Sequence, residues 1–113
     1  MKAIILAAGL GSRLGKLTQQ VPKCLLTVGH KPMLDHWFLI LSRYGVNEIL
    51  INTHHLSEKV VSHCAKSISN GLKITFSYEK NLLGTAKTIV HNRDFIKDDR
   101  FFLIVYADTW MNI

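Results

Sequence analysis

Apolar and polar positions along this chain fall into runs with two different periods. Lys2-Ala3-Ile4-Ile5-Leu6-Ala7-Ala8 is almost unbroken apolar, which predicts a strand covered on both faces of a parallel sheet. Met33, Leu34, Trp37, Phe38, Leu41 and Tyr44 recur at helical spacing. That helix opens at Lys31-Pro32, with proline in its first turn, and closes at Gly45 as a C′ residue. Glu48 to Asn52 reads as a second buried strand, and Leu56 to Ser69 as a helix with Leu56, Val60, Cys64 and Ile68 on one face, stopped by Asn70-Gly71. Leu72 to Tyr78 alternates cleanly, which predicts a strand with one wet face near a sheet edge. A third helix over Thr85 to His91 precedes an apolar strand, Phe101 to Tyr106, which ends in Ala107-Asp108.

Strands alternating with helices predict an α/β fold with a mostly parallel sheet. Ligands of such sheets bind at the carboxyl ends of the strands. The chemically unusual residues fall there: a glycine loop after the first strand, Glu79 to Ala86 after the third and Asp108 after the fourth.

The glycine loop, Gly9-Leu10-Gly11-Ser12-Arg13-Leu14-Gly15-Lys16, lets the backbone turn sharply and approach a ligand with no Cβ in the way. Consecutive amides in such a turn can converge on an anion, and Arg13 adds a rigid cationic fork. Two familiar glycine motifs fail on spacing. G-x-G-x-x-G would need glycine where Leu14 stands, and a P-loop would need glycine at Leu10 and Ser or Thr at Leu17. The loop therefore points to phosphate held by another arrangement. Pro22 constrains Val21 and the segment that carries Lys23.

Composition narrows the class. With 113 residues, 48% of them hydrophobic, there is room for a single globular domain. No apolar run approaches the roughly 20 residues of a membrane span, and the N-terminus lacks a secretory pattern, so the expected compartment is the cytoplasm. The net charge is +6, but the lysines are dispersed, which argues for an anionic small molecule rather than nucleic acid. Cys24 and Cys64 form no C-x-x-C pair, and His54-His55 has no third ligand at metal spacing; packed thiols and a non-metal role follow.

Leu6-Ala7-Ala8-Gly9-Leu10-Gly11-Ser12-Arg13-Leu14, Pro22-Lys23, Lys31-Pro32-Met33-Leu34, Leu83-Gly84-Thr85-Ala86 and terminal Asp108 together resemble the sugar-1-phosphate nucleotidylyltransferases, or NDP-sugar pyrophosphorylases. The likeness runs along the whole chain. It implies a Rossmann-like, three-layer α/β/α fold, apparently truncated. Residues 1–113 would form a single partial domain, the nucleotide-binding half without the sugar-binding half, so turnover by the chain alone is expected to be weak or absent. It also implies transfer of a nucleotidyl group from a nucleoside triphosphate, GTP favoured, to a sugar 1-phosphate of the mannose 1-phosphate kind.

In that scheme Leu6, Ala7, Ala8, Gly9, Gly11 and Ser12 hold the nucleotide, and Gly84 and Thr85 lie against its base or ribose. Arg13 neutralises the β- and γ-phosphates, Lys23 the α-phosphate, and Asp108 ligates Mg²⁺. The residue types agree, because phosphoryl-type transfer asks for positioning and charge stabilisation. Three positions depart from the family pattern: Lys16 for a usual proline, Ala107 for the glycine before the aspartate, and Lys87 for a small residue. Two rival readings are a phosphocholine cytidylyltransferase and a non-catalytic nucleotide-sensing domain. An unpaired sheet edge left by truncation predicts self-association.

Overall fold

The computed structural model describes residues 1–9, 17–66 and 71–107. Strand β1 (Lys2–Leu6) is the centre of a four-stranded parallel sheet that also holds β4 (Glu48–Thr53), β5 (Lys73–Tyr78) and β6 (Phe102–Tyr106), in the order β5-β4-β1-β6. β1 pairs with β4 from Lys2↔Glu48 to Leu6↔Asn52 and with β6 from Lys2↔Phe102 to Leu6↔Tyr106. Its apolar run is explained by this place: Ala3, Ile4 and Ile5 are all 0% exposed.

Side chains of paired parallel strands alternate between the two faces of the sheet. One face carries Ala3, Ile5, Ile49, Ile51 and Val105, which form a single core with Leu34, Trp37, Phe38 and Leu41 of α2 (Met33–Arg43) and with Val60 and Cys64 of α3 (Ser57–Lys66). The other face carries Lys2, Ile4 and Leu50. There Lys2 Nζ donates to the Phe95 carbonyl (2.6 Å) of α5 (Arg93–Ile96), while Thr88 of α4 (Thr85–His91) is tied to the end of β5. The result is the expected α/β/α sandwich, with α2 and α3 on one side and α4 and α5 on the other. The half-buried Asp35 and His63 join α2 to α3 (Oδ1 to Nε2, 2.6 Å).

Short elements escaped the periodicity because each spans a turn or less. They are α1 (Leu17–Gln20), a 3₁₀ turn at Lys23–Leu25, α5, and an antiparallel pair β2 (Thr27–Val28) and β3 (Lys31–Pro32). The pair corrects one detail. Pro32 has φ −55° and ψ 146° and ends β3, so it is the residue before α2 rather than part of its first turn. β5 is an edge strand, as its alternation predicted. β6 is the other edge, although its sequence reads like a central strand. Leu103 (39% exposed) lies on one face, and Ile104 (40%) and Tyr106 (50%) on the other.

Candidate functional site

Segments leaving the carboxyl ends of β1, β4, β5 and β6 surround a cavity of about 300 Å³, at the lower end of the size range of small-molecule sites. Leu6 to Gly9 line it from β1, Asn52 from β4 and Ala107 from β6. Gly84 and Thr85 face it from the connection after β5, and Lys23 and Cys24 from the 3₁₀ turn.

Each wall has a local cause. Pro22 starts the 3₁₀ turn, with the Leu25 amide donating to its carbonyl (2.9 Å), and Cys24, 2% exposed, pins that turn into the core. Lys23 is thereby presented beside the cavity and is the only cation among the described residues that line it. Burial first, then the neighbouring Cys64 thiol, pushes Cys24 up to about 12, against a smaller opposing effect of its own backbone hydrogen bond. Burial and then Asp35 push Cys64 to about 12 as well. Both are therefore protonated packing groups at neutral pH.

Gly84 caps α4 at φ 82° and ψ 164°, a region essentially closed to residues with a Cβ. This conformation turns the chain into α4 immediately behind the cavity wall, with Thr85 as the first helical residue.

Two polar residues organise the floor. Asn52, 5% exposed, accepts at Oδ1 from the amides of Ala7 (2.6 Å) and Ala8 (3.2 Å). Its Nδ2 donates to Oε2 of Glu79 (3.1 Å), which is 4% exposed. The same oxygen accepts from Thr88 Oγ1 (2.5 Å), and Oε1 accepts from the Leu83 amide (3.2 Å). The Glu79 backbone is fixed too: its amide donates to the Thr53 carbonyl (2.7 Å) and its carbonyl accepts from His54 Nδ1 (2.6 Å). One buried carboxyl group thus receives three donors in place of water.

The structure brings together Leu6, Ala7, Ala8, Gly9, Lys23, Gly84 and Thr85 around one cavity. Gly11, Ser12, Arg13 and Asp108 lie outside the described residues. The Ala7 and Ala8 amides, just before the glycine loop, are met by Asn52, and loop residues 10–16 lie outside the described residues. Asn52 was not singled out from sequence, and Glu79 only as the first residue of the segment that follows β5. Their signal is a polar residue directly at or after the end of an apolar or alternating strand, on the edge where an α/β sheet collects its chemistry.

The resident metal implied for such a site finds limited support here. Glu79 is the only carboxylate among the described lining residues, and its oxygens accept three hydrogen bonds within the protein. No group of metal-ligating side chains occurs among the described residues. No helix among the described residues is long and apolar enough to cross a membrane.

Comparison with known proteins gives the same direction. The family described as nucleotidyl transferase matches residues 2–113. D-glycero-alpha-D-manno-heptose 1-phosphate guanylyltransferase of Campylobacter jejuni is 33% identical over 113 residues, covering 100% of this chain and 50% of that protein. The mannose-1-phosphate guanyltransferase of Candida albicans is 36% identical over 110 residues, covering 96% of this chain and 30% of its own length. The structure of HddC from Yersinia pseudotuberculosis complexed with GMP-PN superposes with a TM-score of 0.84 at 27% identity, over 96% of this chain and 48% of that one. The chain spans half or less of the length of these relatives.

Proposed function

The chain belongs to the nucleotidyl transferase family, and from that premise we propose that its cavity is the nucleotide site of a sugar-1-phosphate nucleotidylyltransferase using GTP. The acceptor would be a sugar 1-phosphate of the manno configuration, and the products an NDP-sugar and pyrophosphate. The observation that carries this reading is the convergence of the β1 loop, Lys23 and the Gly84-Thr85 wall on one cavity at the carboxyl edge of the sheet. Guanine and the manno configuration are supported by the names of the two relatives above.

In the proposed reaction an oxygen of the sugar phosphate attacks the α-phosphorus in line. A P–O bond forms there as the bond to the β-phosphate oxygen breaks and pyrophosphate leaves. The attacking oxygen is already ionised, so no general base is needed. Lys23 stabilises negative charge that builds on the α-phosphate, and Arg13 is proposed to stabilise the departing pyrophosphate. Bound magnesium would polarise the phosphates, with Asp108 and phosphate oxygens as its ligands. The sugar would be recognised largely by the portion of the relatives to which this chain does not align.

The test is a titration of GTP, UTP, CTP, dTTP and ATP, with and without Mg²⁺, on the chain and on Lys23→Ala and Asp108→Asn, alongside an assay for GDP-sugar formed from mannose 1-phosphate. GTP is expected to bind best and more tightly with Mg²⁺, and Asp108→Asn to remove that gain. A folded chain that binds none of the nucleotides would sink the reading. Tight binding without product would favour the nucleotide-sensing alternative.

A further inference from the structure

Glu79 lines the cavity and ties three parts of it together. Through Leu83 it holds the segment that leads into Gly84 and Thr85. Through Thr88 it holds α4, and through Asn52 it holds the amides of Ala7 and Ala8. The β1 and post-β5 walls of the cavity are therefore fixed to one buried carboxylate, at hydrogen-bond lengths of 2.5 to 3.2 Å. Such a network is stiff because an unmet donor in a buried site costs more than the bond contributes when made.

We propose that Glu79, acting through Asn52, is the positioning residue of the nucleotide site. It sets the spacing between the β1 loop and the Leu83–Thr85 wall and so couples the occupancy of one wall to the geometry of the other. The proposal rests on the nucleotide reading above. It adds a positioning role for a carboxylate that also lines the cavity.

The chemistry of the pair supplies a reciprocal test. Glu79→Gln sets an amide group against the Asn52 amide group, and Asn52→Asp sets two carboxylates against each other. The double variant Glu79→Gln with Asn52→Asp restores a donor facing an acceptor. Oδ1 of the introduced aspartate still accepts from Ala7 and Ala8, and the glutamine nitrogen takes the former Oε2 position, where the Thr88 hydroxyl turns to accept. Thr88→Val removes one donor from a residue that is 0% exposed and does not line the cavity.

GTP affinity is measured by calorimetry at a temperature where circular dichroism shows each variant folded. Each single change at Glu79 or Asn52 should weaken binding about tenfold or more, Thr88→Val several-fold, and the double swap should regain most of the loss. Folded single variants that bind GTP as the parent does would overturn the proposal. Hydrogen exchange supplies a readout that needs no ligand. Thr88→Val, and Glu79→Gln where it folds, should reduce protection of the Leu83 amide and of the Ala7 and Ala8 amides together. Unchanged Ala7 and Ala8 protection refutes the coupling. If the parent binds no nucleotide while these amides still respond together, the coupling stands and the functional reading fails.

Discussion

Gly9 and Gly84 both line the cavity, yet replacing each with alanine should have opposite consequences. A Cβ built at Gly9 meets no described atom within 4 Å, and Gly9 is not among the glycines with positive φ. No described atom opposes the added methyl, while the unfolded chain loses freedom, so Gly9→Ala should stabilise by about 0.4–1 kcal/mol. On the proposed function, glycine there serves the ligand. A methyl group on the cavity wall should act as overpacking against a bound nucleotide, costing about 1–3 kcal/mol, or roughly five- to 150-fold in affinity.

At Gly84 a Cβ also meets nothing within 4 Å, but φ is 82° and ψ is 164°. Alanine is strained there whatever the space, by about 1–3 kcal/mol, and the loss should appear as a lower urea midpoint at unchanged slope. Urea denaturation and GTP titration on both variants separate the two effects. The reasoning fails if Gly9→Ala binds GTP as tightly as the parent, since the β1 loop would then not approach the nucleotide. It fails equally if Gly84→Ala leaves stability unchanged.

Three further outcomes follow from the same geometry. Lys23→Ala should weaken triphosphate binding by about 10- to 100-fold, as expected for losing a hydrogen bond to a charged group, while leaving guanosine binding nearly unchanged; calorimetry with both ligands checks it. The thiols of Cys24 and Cys64 are raised from 9.0 to about 12, so the stability that their protonated, buried state contributes is complete below about pH 9 and is lost as pH rises toward 12. The advantage of the parent over Cys24→Ala/Cys64→Ala in urea should therefore hold up to about pH 9 and shrink as pH rises above it, and a constant difference would contradict the assignment. The β6 edge, with Leu103, Ile104 and Tyr106 exposed, should make apparent mass by light scattering rise with concentration, and Ile104→Lys should suppress the rise. A parent chain of constant monomer mass would count against that surface.

The parts of the molecule that sequence made legible are those where one physical demand dominates several residues in a row. Burial on both faces leaves an unbroken run at Ala3, Ile4 and Ile5, and one-sided burial leaves the stripe of Leu34, Trp37, Phe38 and Leu41. Gly84 was legible as a motif member, but its cause is local: only its φ and ψ show why the motif needs glycine there. The Asn52–Glu79–Thr88 network was not legible, for an equally definite reason. Its members are isolated polar residues separated in sequence, and each looks like an ordinary surface position until the strand register sets Leu6 beside Asn52 and brings Glu79 alongside.

That register also explains why the site sits where it does. All four strands are parallel, so every carboxyl end lies on one edge, and the last residue of each must exchange ladder bonding for side-chain or ligand bonding. At β1 the amides after Leu6 are met by Asn52, the neighbouring strand's own last polar side chain but one. At β6 the Ala107 amide is met by the Leu6 carbonyl (3.1 Å). The protein thus satisfies its own backbone as far as Ala8 and Ala107. The groups assigned to the departing pyrophosphate and to metal in the proposed function, Arg13 and Asp108, follow those two points in the sequence.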